Sequence, residues 1–229
     1  MFLYLFILLG AWEGLAEPTF TCDDSSFSVC APPLDENERQ FPSTKEEILK
    51  ICPYFMEFQR CIRTYAEKCG EQSVNIINFS FEMQQRIVEV AEDICNEDSP
   101  LHSNVVEHIG CLRNVTEYSD CSEYARKKLQ TVIDIITKTE ENGSGSSTDT
   151  VWQSINCIFE IQTTVCFTAK TQEVCGLGAK DLIEQLLERT EYFEQYCRGT
   201  QPDEIDEIIE ILKLDEEEQS ALKEFINRE

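Results

Sequence analysis

Apolar side chains recur at steps of three and four along most of this chain, and strand-like alternation is almost absent. Phe55, Phe58, Ile62, Tyr65 and Cys69 line one helical face, and Gly70 then predicts a left-handed cap. Ahead of that stripe, Ser43-Thr44-Lys45-Glu46 has the form of a capping box. Pro53 lacks an N–H, so the helix is expected to kink or restart there. Three more stripes follow: Ile87, Val88, Ala91 and Cys95 over residues 80–95; Val105, Ile109 and Leu112 over 101–115; Leu129, Val132, Ile133 and Ile136 over 121–138. Helical pattern resumes over 150–175, stops at Gly176, and returns over 180–197 with Leu182, Ile183, Leu186, Phe193 and Cys197. Two short amphipathic pieces close the chain, one lined by Ile205, Ile208, Ile209 and Leu212, the other by Leu222, Phe225 and Ile226. Asp215 with Glu218 suits a cap for the second. The expected fold class is all-α.

Between the periodic stretches lie segments without a stripe. Residues 17–42 contain Pro18, Pro32, Pro33 and Pro42 and read as an irregular arm. Glu140-Glu141-Asn142-Gly143-Ser144-Gly145-Ser146-Ser147 reads as an exposed flexible loop. Gly176-Leu177-Gly178 reads as a turn between helices.

Twelve cysteines punctuate this pattern in two sets of six. Cys22, Cys30, Cys52, Cys61, Cys69 and Cys95 are spaced by 8, 22, 9, 8 and 26 residues. Cys111, Cys121, Cys157, Cys166, Cys175 and Cys197 are spaced by 10, 36, 9, 9 and 22. The near match predicts two pseudo-repeated disulfide-stapled helical units, residues 22–95 and 111–197, followed by an acidic amphipathic tail over 198–229. In an antiparallel helical hairpin, residues equally far from the turn lie side by side. A turn near Val74 and Asn75 sets Cys95 beside Cys52, and a turn near Leu177 and Gly178 sets Cys197 beside Cys157. A turn in the Gly/Ser loop brings Cys121 to Cys166 and Cys111 to Cys175. By analogy Cys30 joins Cys61 and Cys22 joins Cys69, which tethers the arm.

The N-terminus and the composition say where such a chain works. Met1 to Gly10 is an apolar run shorter than the ~20 residues of a membrane span. Gly14 and Ala16 precede a plausible cut before Glu17, so residues 1–16 are expected to be a secretory signal peptide, although no Lys or Arg precedes the apolar run. No later run is long enough to span a bilayer, so the mature chain is expected to be soluble and extracellular, where disulfides persist. A formal net charge of −25 argues against nucleic acid and anionic membranes and allows a cationic partner.

Motifs that carry chemistry are missing. His102 and His108 lie six residues apart, on different sides of a helix, and cannot jointly hold zinc. There is no H-E-x-x-H, no C-x-x-C, no G-x-S-x-G elbow and no phosphate-binding glycine loop. Asp203-Glu204-Ile205-Asp206-Glu207 lacks the spacing and glycine of a calcium loop. No catalytic, metal or cofactor residue is therefore proposed, and the chain is not expected to be an enzyme. Three glycosylation sequons stand at expected loops or helix ends: Asn78-Phe79-Ser80, Asn114-Val115-Thr116 and Asn142-Gly143-Ser144.

The runs Cys52-x8-Cys61-x7-Cys69 and Cys157-x8-Cys166-x8-Cys175, set on amphipathic helices, resemble the cysteine-rich helical extracellular proteins of arthropods and nematodes. That resemblance covers most of the mature chain and implies an abundant body-fluid or secretion protein without catalytic residues. The leading expectation is a non-catalytic secreted binding or structural protein, a component of venom, saliva, silk or hemolymph, with toxins among the roles included. The alternative is a carrier of small apolar ligands in a cavity between helices.

Overall fold

The computed structural model describes residues 21–30, 41–74, 81–141, 148–200, 202–212 and 219. The signal segment, the sequons at Asn78 and Asn142, the Gly/Ser loop and the last amphipathic piece, with Asp215 and Glu218, lie outside these residues. The described residues are all-helical, with no strand among them: α1 (Ser26–Cys30), α2 (Lys45–Cys69), α3 (Phe81–Cys95), α4 (Pro100–Tyr118), α5 (Cys121–Glu141), α6 (Thr148–Cys175), α7 (Leu177–Arg189), α8 (Tyr192–Tyr196) and α9 (Pro202–Leu212). No described helix is long and apolar enough to cross a membrane.

Six disulfides use all twelve cysteines: Cys22–Cys69, Cys30–Cys61, Cys52–Cys95, Cys111–Cys175, Cys121–Cys166 and Cys157–Cys197. The last four are the pairs that the hairpin construction reaches, and the first two are those reached by analogy. Within each set of six, the first cysteine joins the fifth, the second the fourth and the third the sixth. Such a complement is consistent with an oxidising compartment.

Two compact units can be distinguished, and each is discontinuous in sequence. The first comprises Met1–Glu117 and Cys175–Glu191, the second Tyr118–Val174 and Tyr192–Glu229. Their borders cut across the second cysteine set, because Cys111–Cys175 belongs to the first unit.

In the first unit, α2 packs against α1 and α3, and α3 packs against α7. The stripe read from the sequence is the buried one: Phe55, Phe58, Ile62 and Tyr65 are buried, with Ile48 added two turns nearer the start. On α3 the inner face is wider than the pattern suggests, with Met83, Val90 and Ile94 buried beside Val88 and Ala91. Burying side chains of this size is worth about 1.5–3 kcal/mol each before entropy is counted. The start of the arm is not irregular: α1 brings Cys30 onto Phe58, Ile62 and Tyr65. The Tyr65 hydroxyl donates to the Asp24 carbonyl at 2.7 Å, which fixes the segment just ahead of α1.

Three local expectations are corrected in this unit, and a fourth, at Pro53, is narrowed. The cap of α2 is shifted by one residue. Thr44 Oγ1 accepts from the Glu47 N–H at 3.2 Å, and the Glu47 carboxylate accepts from the Ser43 N–H at 2.6 Å. Both registers fit the sequence. The one adopted puts Ile48 in the core, 1% exposed. The Ser43 N–H, helped by the Ser43 hydroxyl and the Arg113 charge, holds the Glu47 carboxyl below its ordinary value. Second, α2 runs through Pro53, which is exposed, so no restart occurs. Third, Gly70 has φ 90° and ψ 146°, so its positive φ ends the helix in an extended rather than a left-handed helical conformation. Fourth, the turn after α6 is Gly176 alone, and Gly178 lies inside α7. There a Cβ would come within 3.1 Å of His108 Nε2, so a larger residue would require the His108 ring to shift by a few tenths of an ångström.

The helix expected over 180–197 breaks at its middle. The Thr190 hydroxyl donates back to the Leu186 carbonyl at 2.9 Å and contacts the Leu187 carbonyl at 3.1 Å. Glu191 then takes φ 46° and donates its N–H to the Glu188 carbonyl, closing a tighter turn. Arg86 on α3 holds the Glu191 carboxylate at 2.8 Å. The apolar stripe alone does not register this stop, because Phe193 resumes it in α8.

In the second unit, α9 packs on α5 and buries Ile205, Ile208 and Ile209. Leu129 and Val132 are buried on α5, and Ile155, Ile158 and Ile161 on α6. Tyr192 and Phe193 meet edge to face at 5.3 Å, and the Tyr192 hydroxyl donates to the Glu160 carboxylate at 2.8 Å. The Gln153 side chain donates to the Arg198 carbonyl beside Cys197, next to the Cys157–Cys197 bridge.

Candidate functional site

The long helix α6 is unlike the other long helices in what it buries. Ser154, Gln162, Thr164, Thr168 and Thr171 are all buried on it. Thr164, Thr168 and Thr171 share one face at helical spacing. The Thr168 hydroxyl is satisfied by its own helix, at 2.9 Å from the Thr164 carbonyl. The Thr171 hydroxyl is buried with no partner.

On the opposite face runs a groove of about 300 Å³, at the lower end of the sizes that hold small molecules. Ile161, fully buried, and Gln162, 8% exposed, are its most buried lining residues. Val165, Cys166 and Tyr124 form its walls, and Ala169, Lys170 and Glu173 its mouth. From Ile161 to Glu173 the groove follows α6 for about 18 Å, at about 1.5 Å per residue.

The reason for the groove is local. The Cys121–Cys166 bridge pins the first residue of α5 to the middle of α6. Tyr124 stands one turn along α5 and remains 41% exposed, with the Lys128 ammonium 5.1 Å from its ring centroid. Opposite it, α6 presents the small side chains of Cys166 and Ala169, which leave the space unfilled. The lining carries one cation, Lys170, and one anion, Glu173, both at the mouth.

The Gln162 amide is the group in this lining that most needs a partner. Its Oε1 is buried and accepts no hydrogen bond. A polar group left in this state costs about 1–3 kcal/mol.

The residues singled out from the sequence sit elsewhere. All twelve cysteines are consumed in bridges, and of these Cys166 lines the groove. His102 is buried and its Nδ1 donates to the Ile94 carbonyl at 2.6 Å, while Nε2 has no partner. His108 rests against Gly178, so the two histidines serve separate packing contacts. Among the described residues, no three His, Cys, Asp or Glu side chains converge as metal ligands. Asn114 is exposed, but α4 continues to Tyr118, so this sequon lies one turn inside the helix. Gln162 was not singled out from the sequence. Its neighbours gave no signal, since Phe159-Glu160-Ile161-Gln162 alternates apolar and polar residues on a helix without a clean polar face. No family model, curated protein or solved structure matches this chain.

Proposed function

We propose that this protein is a non-catalytic secreted binding protein whose ligand site is the groove along α6. The observation that carries the reading is an apolar groove of about 300 Å³ whose lining includes the buried side chain of Gln162. A site of that form offers burial for an apolar body and one hydrogen bond to orient it. It favours the carrier alternative over a role resting on surface contacts alone. The disulfide framework and the apolar N-terminal run support an extracellular setting, in a secretion such as venom, saliva, silk or hemolymph. The common bridge order of the two cysteine sets supports their reading as pseudo-repeats. Glycans on Asn78, Asn114 and Asn142 belong to the same proposal.

The test is titration of the secreted, delipidated chain with N-phenyl-1-naphthylamine, a neutral fluorophore that brightens on leaving water. Saturable binding near one probe per chain is expected. Ala169→Trp, at the exposed mouth, should abolish it while leaving thermal unfolding unchanged. Absence of saturable binding, or binding that Ala169→Trp leaves intact, would overturn the groove as the site.

A further inference from the structure

We infer that the glycan on Asn114 is held against the protein, its first N-acetylglucosamine packing on the ring of Tyr118. This rests on the reading of Asn114-Val115-Thr116 as an occupied sequon. Transfer to that sequon takes place on the chain before α4 closes. The Asn114 side-chain nitrogen gives up a proton and bonds C1 of the sugar, and the lipid-linked diphosphate that carried the sugar leaves.

Tyr118 is the most exposed of the large hydrophobic side chains among the described residues, at 82%. A single exposed ring needs no explanation on its own. Its position supplies the partner. Tyr118 closes α4 four residues after Asn114, which is also exposed. Side chains four apart on a helix are neighbours, with about 5–6 Å between their Cβ atoms. Long side chains on a helix lean toward its N-terminus, so the surface that Tyr118 covers lies over the preceding turn, where Asn114 stands. The other helical neighbours of Asn114 offer no such surface. Gly110 has no side chain, Cys111 is bridged to Cys175, and the Glu117 carboxylate is drawn to Arg113 at 2.7 Å. The chemistry suits the contact. One face of the sugar ring carries axial C–H groups, whose partial positive charge matches the negative face of an aromatic ring.

The experiment uses the full secreted chain carrying Asn78→Gln and Asn142→Gln, which leaves Asn114 in its one remaining sequon. Intact mass before and after glycosidase digestion reports occupancy. In proton NMR spectra, ring current should move C–H signals of the first sugar upfield. Tyr118→Ala should return them to their usual positions, and Tyr118→Phe should keep them shifted. Denaturant unfolding adds a second readout. With the glycan present, Tyr118→Ala should lower the folded-to-unfolded ratio about fivefold, the size of one aromatic stacking contact. The same change should carry no such cost beside Asn114→Gln. Trimming the glycan to its first sugar should leave both effects in place. Sugar signals at their usual positions, an equal Tyr118→Ala cost with and without the glycan, or loss of both effects on trimming would overturn the inference while leaving Asn114 glycosylated. A chain secreted without a glycan on Asn114 would instead remove the reading on which the inference rests.

Discussion

The two compact units solve the same stapling problem with different interiors. The first holds four bridges and the second holds two. Cys30–Cys61 and Cys121–Cys166 are counterparts, each joining the second cysteine of its set to the fourth. Around the first, aromatic and aliphatic side chains close in: Phe58, Ile62 and Tyr65 pack with Cys30, and Phe27 meets Phe58 edge to face at 6.4 Å. Beside the second, Ala169 and an outward Tyr124 leave an open groove. A disulfide fixes the separation of two helices but does not fill the space next to it. What the neighbours contribute decides whether that space becomes core or site.

Opening these counterpart bridges one at a time is the strongest way to break the comparison. Cys30→Ala with Cys61→Ala opens a link across 31 residues, and Cys121→Ala with Cys166→Ala one across 45. Both lie inside a second bridge, Cys22–Cys69 and Cys111–Cys175 respectively, so the loop actually released is shorter in each case. Each loss should cost about 3 kcal/mol in chemical denaturation. The functional outcomes should differ. Loss of Cys30–Cys61 should leave binding of the fluorescent probe within twofold of the wild type. Loss of Cys121–Cys166 should weaken it at least tenfold, since Cys166 is itself part of the wall. Equal effects on binding would mean that the bridges act only through global stability.

A smaller effect sharpens the contrast between interiors. Thr171 is fully buried and its hydroxyl has no partner, whereas the Thr168 hydroxyl bonds to its own helix. Valine has the shape of threonine without the hydroxyl. Thr171→Val should therefore raise stability by about 1 kcal/mol by removing an unsatisfied group. Thr168→Val should be close to neutral, because it removes the group together with its bond. The check is the denaturation midpoint at unchanged slope. Destabilisation at Thr171 would show that its hydroxyl holds a bonded partner.

How much of this was legible depends on what each residue needed from its surroundings. The apolar stripes of α2, α4 and α5 were readable, because a helix on a core must repeat its apolar positions near every 3.6 residues. Four of the bridges were readable for a related reason: a hairpin is its own ruler, and cysteines equidistant from its turn must meet; Cys22–Cys69 and Cys30–Cys61 followed only by analogy, because the arm has no such ruler. The break at Thr190 and Glu191 was not readable. The pattern Leu182, Ile183, Leu186, Phe193 is compatible with one helix, and the stop depends on a side-chain hydroxyl and on Arg86 from another helix. Gln162 and the groove were hidden in the same way. On α6 polar residues occupy the buried face as well as the exposed one, so periodicity could not say which side faces a core. The groove exists because small side chains fall next to a bridge, and that adjacency belongs to tertiary structure.

The smallest expected effect tests the ordered start of the first unit. Thr44→Ala removes the oxygen that accepts the Glu47 N–H and should cost about 1 kcal/mol, the usual worth of a helix N-cap. Acid should act on the same cap. The folded chain holds the Glu47 carboxyl below its ordinary 4.5, chiefly through the Ser43 N–H, so the folded state binds that proton less readily than the unfolded one. The stabilisation is therefore complete above the ordinary value and is lost as the pH falls through the lower folded value. Asp24, held low by the Thr21 N–H, and Glu97, held low by the Lys45 ammonium, lie in the same unit and slope the same way. Glu47→Gln should flatten this part of the acid limb and lower stability at neutral pH, because the carboxylate bond to Ser43 is replaced by a weaker neutral one. Denaturant midpoints measured from pH 7 down to pH 3 would show it as two curves that converge toward acid. Parallel curves would mean that the Glu47 charge contributes nothing to the cap. At neutral pH, Thr44→Ala and Glu47→Gln should both leave probe binding unchanged, since neither residue lines the groove.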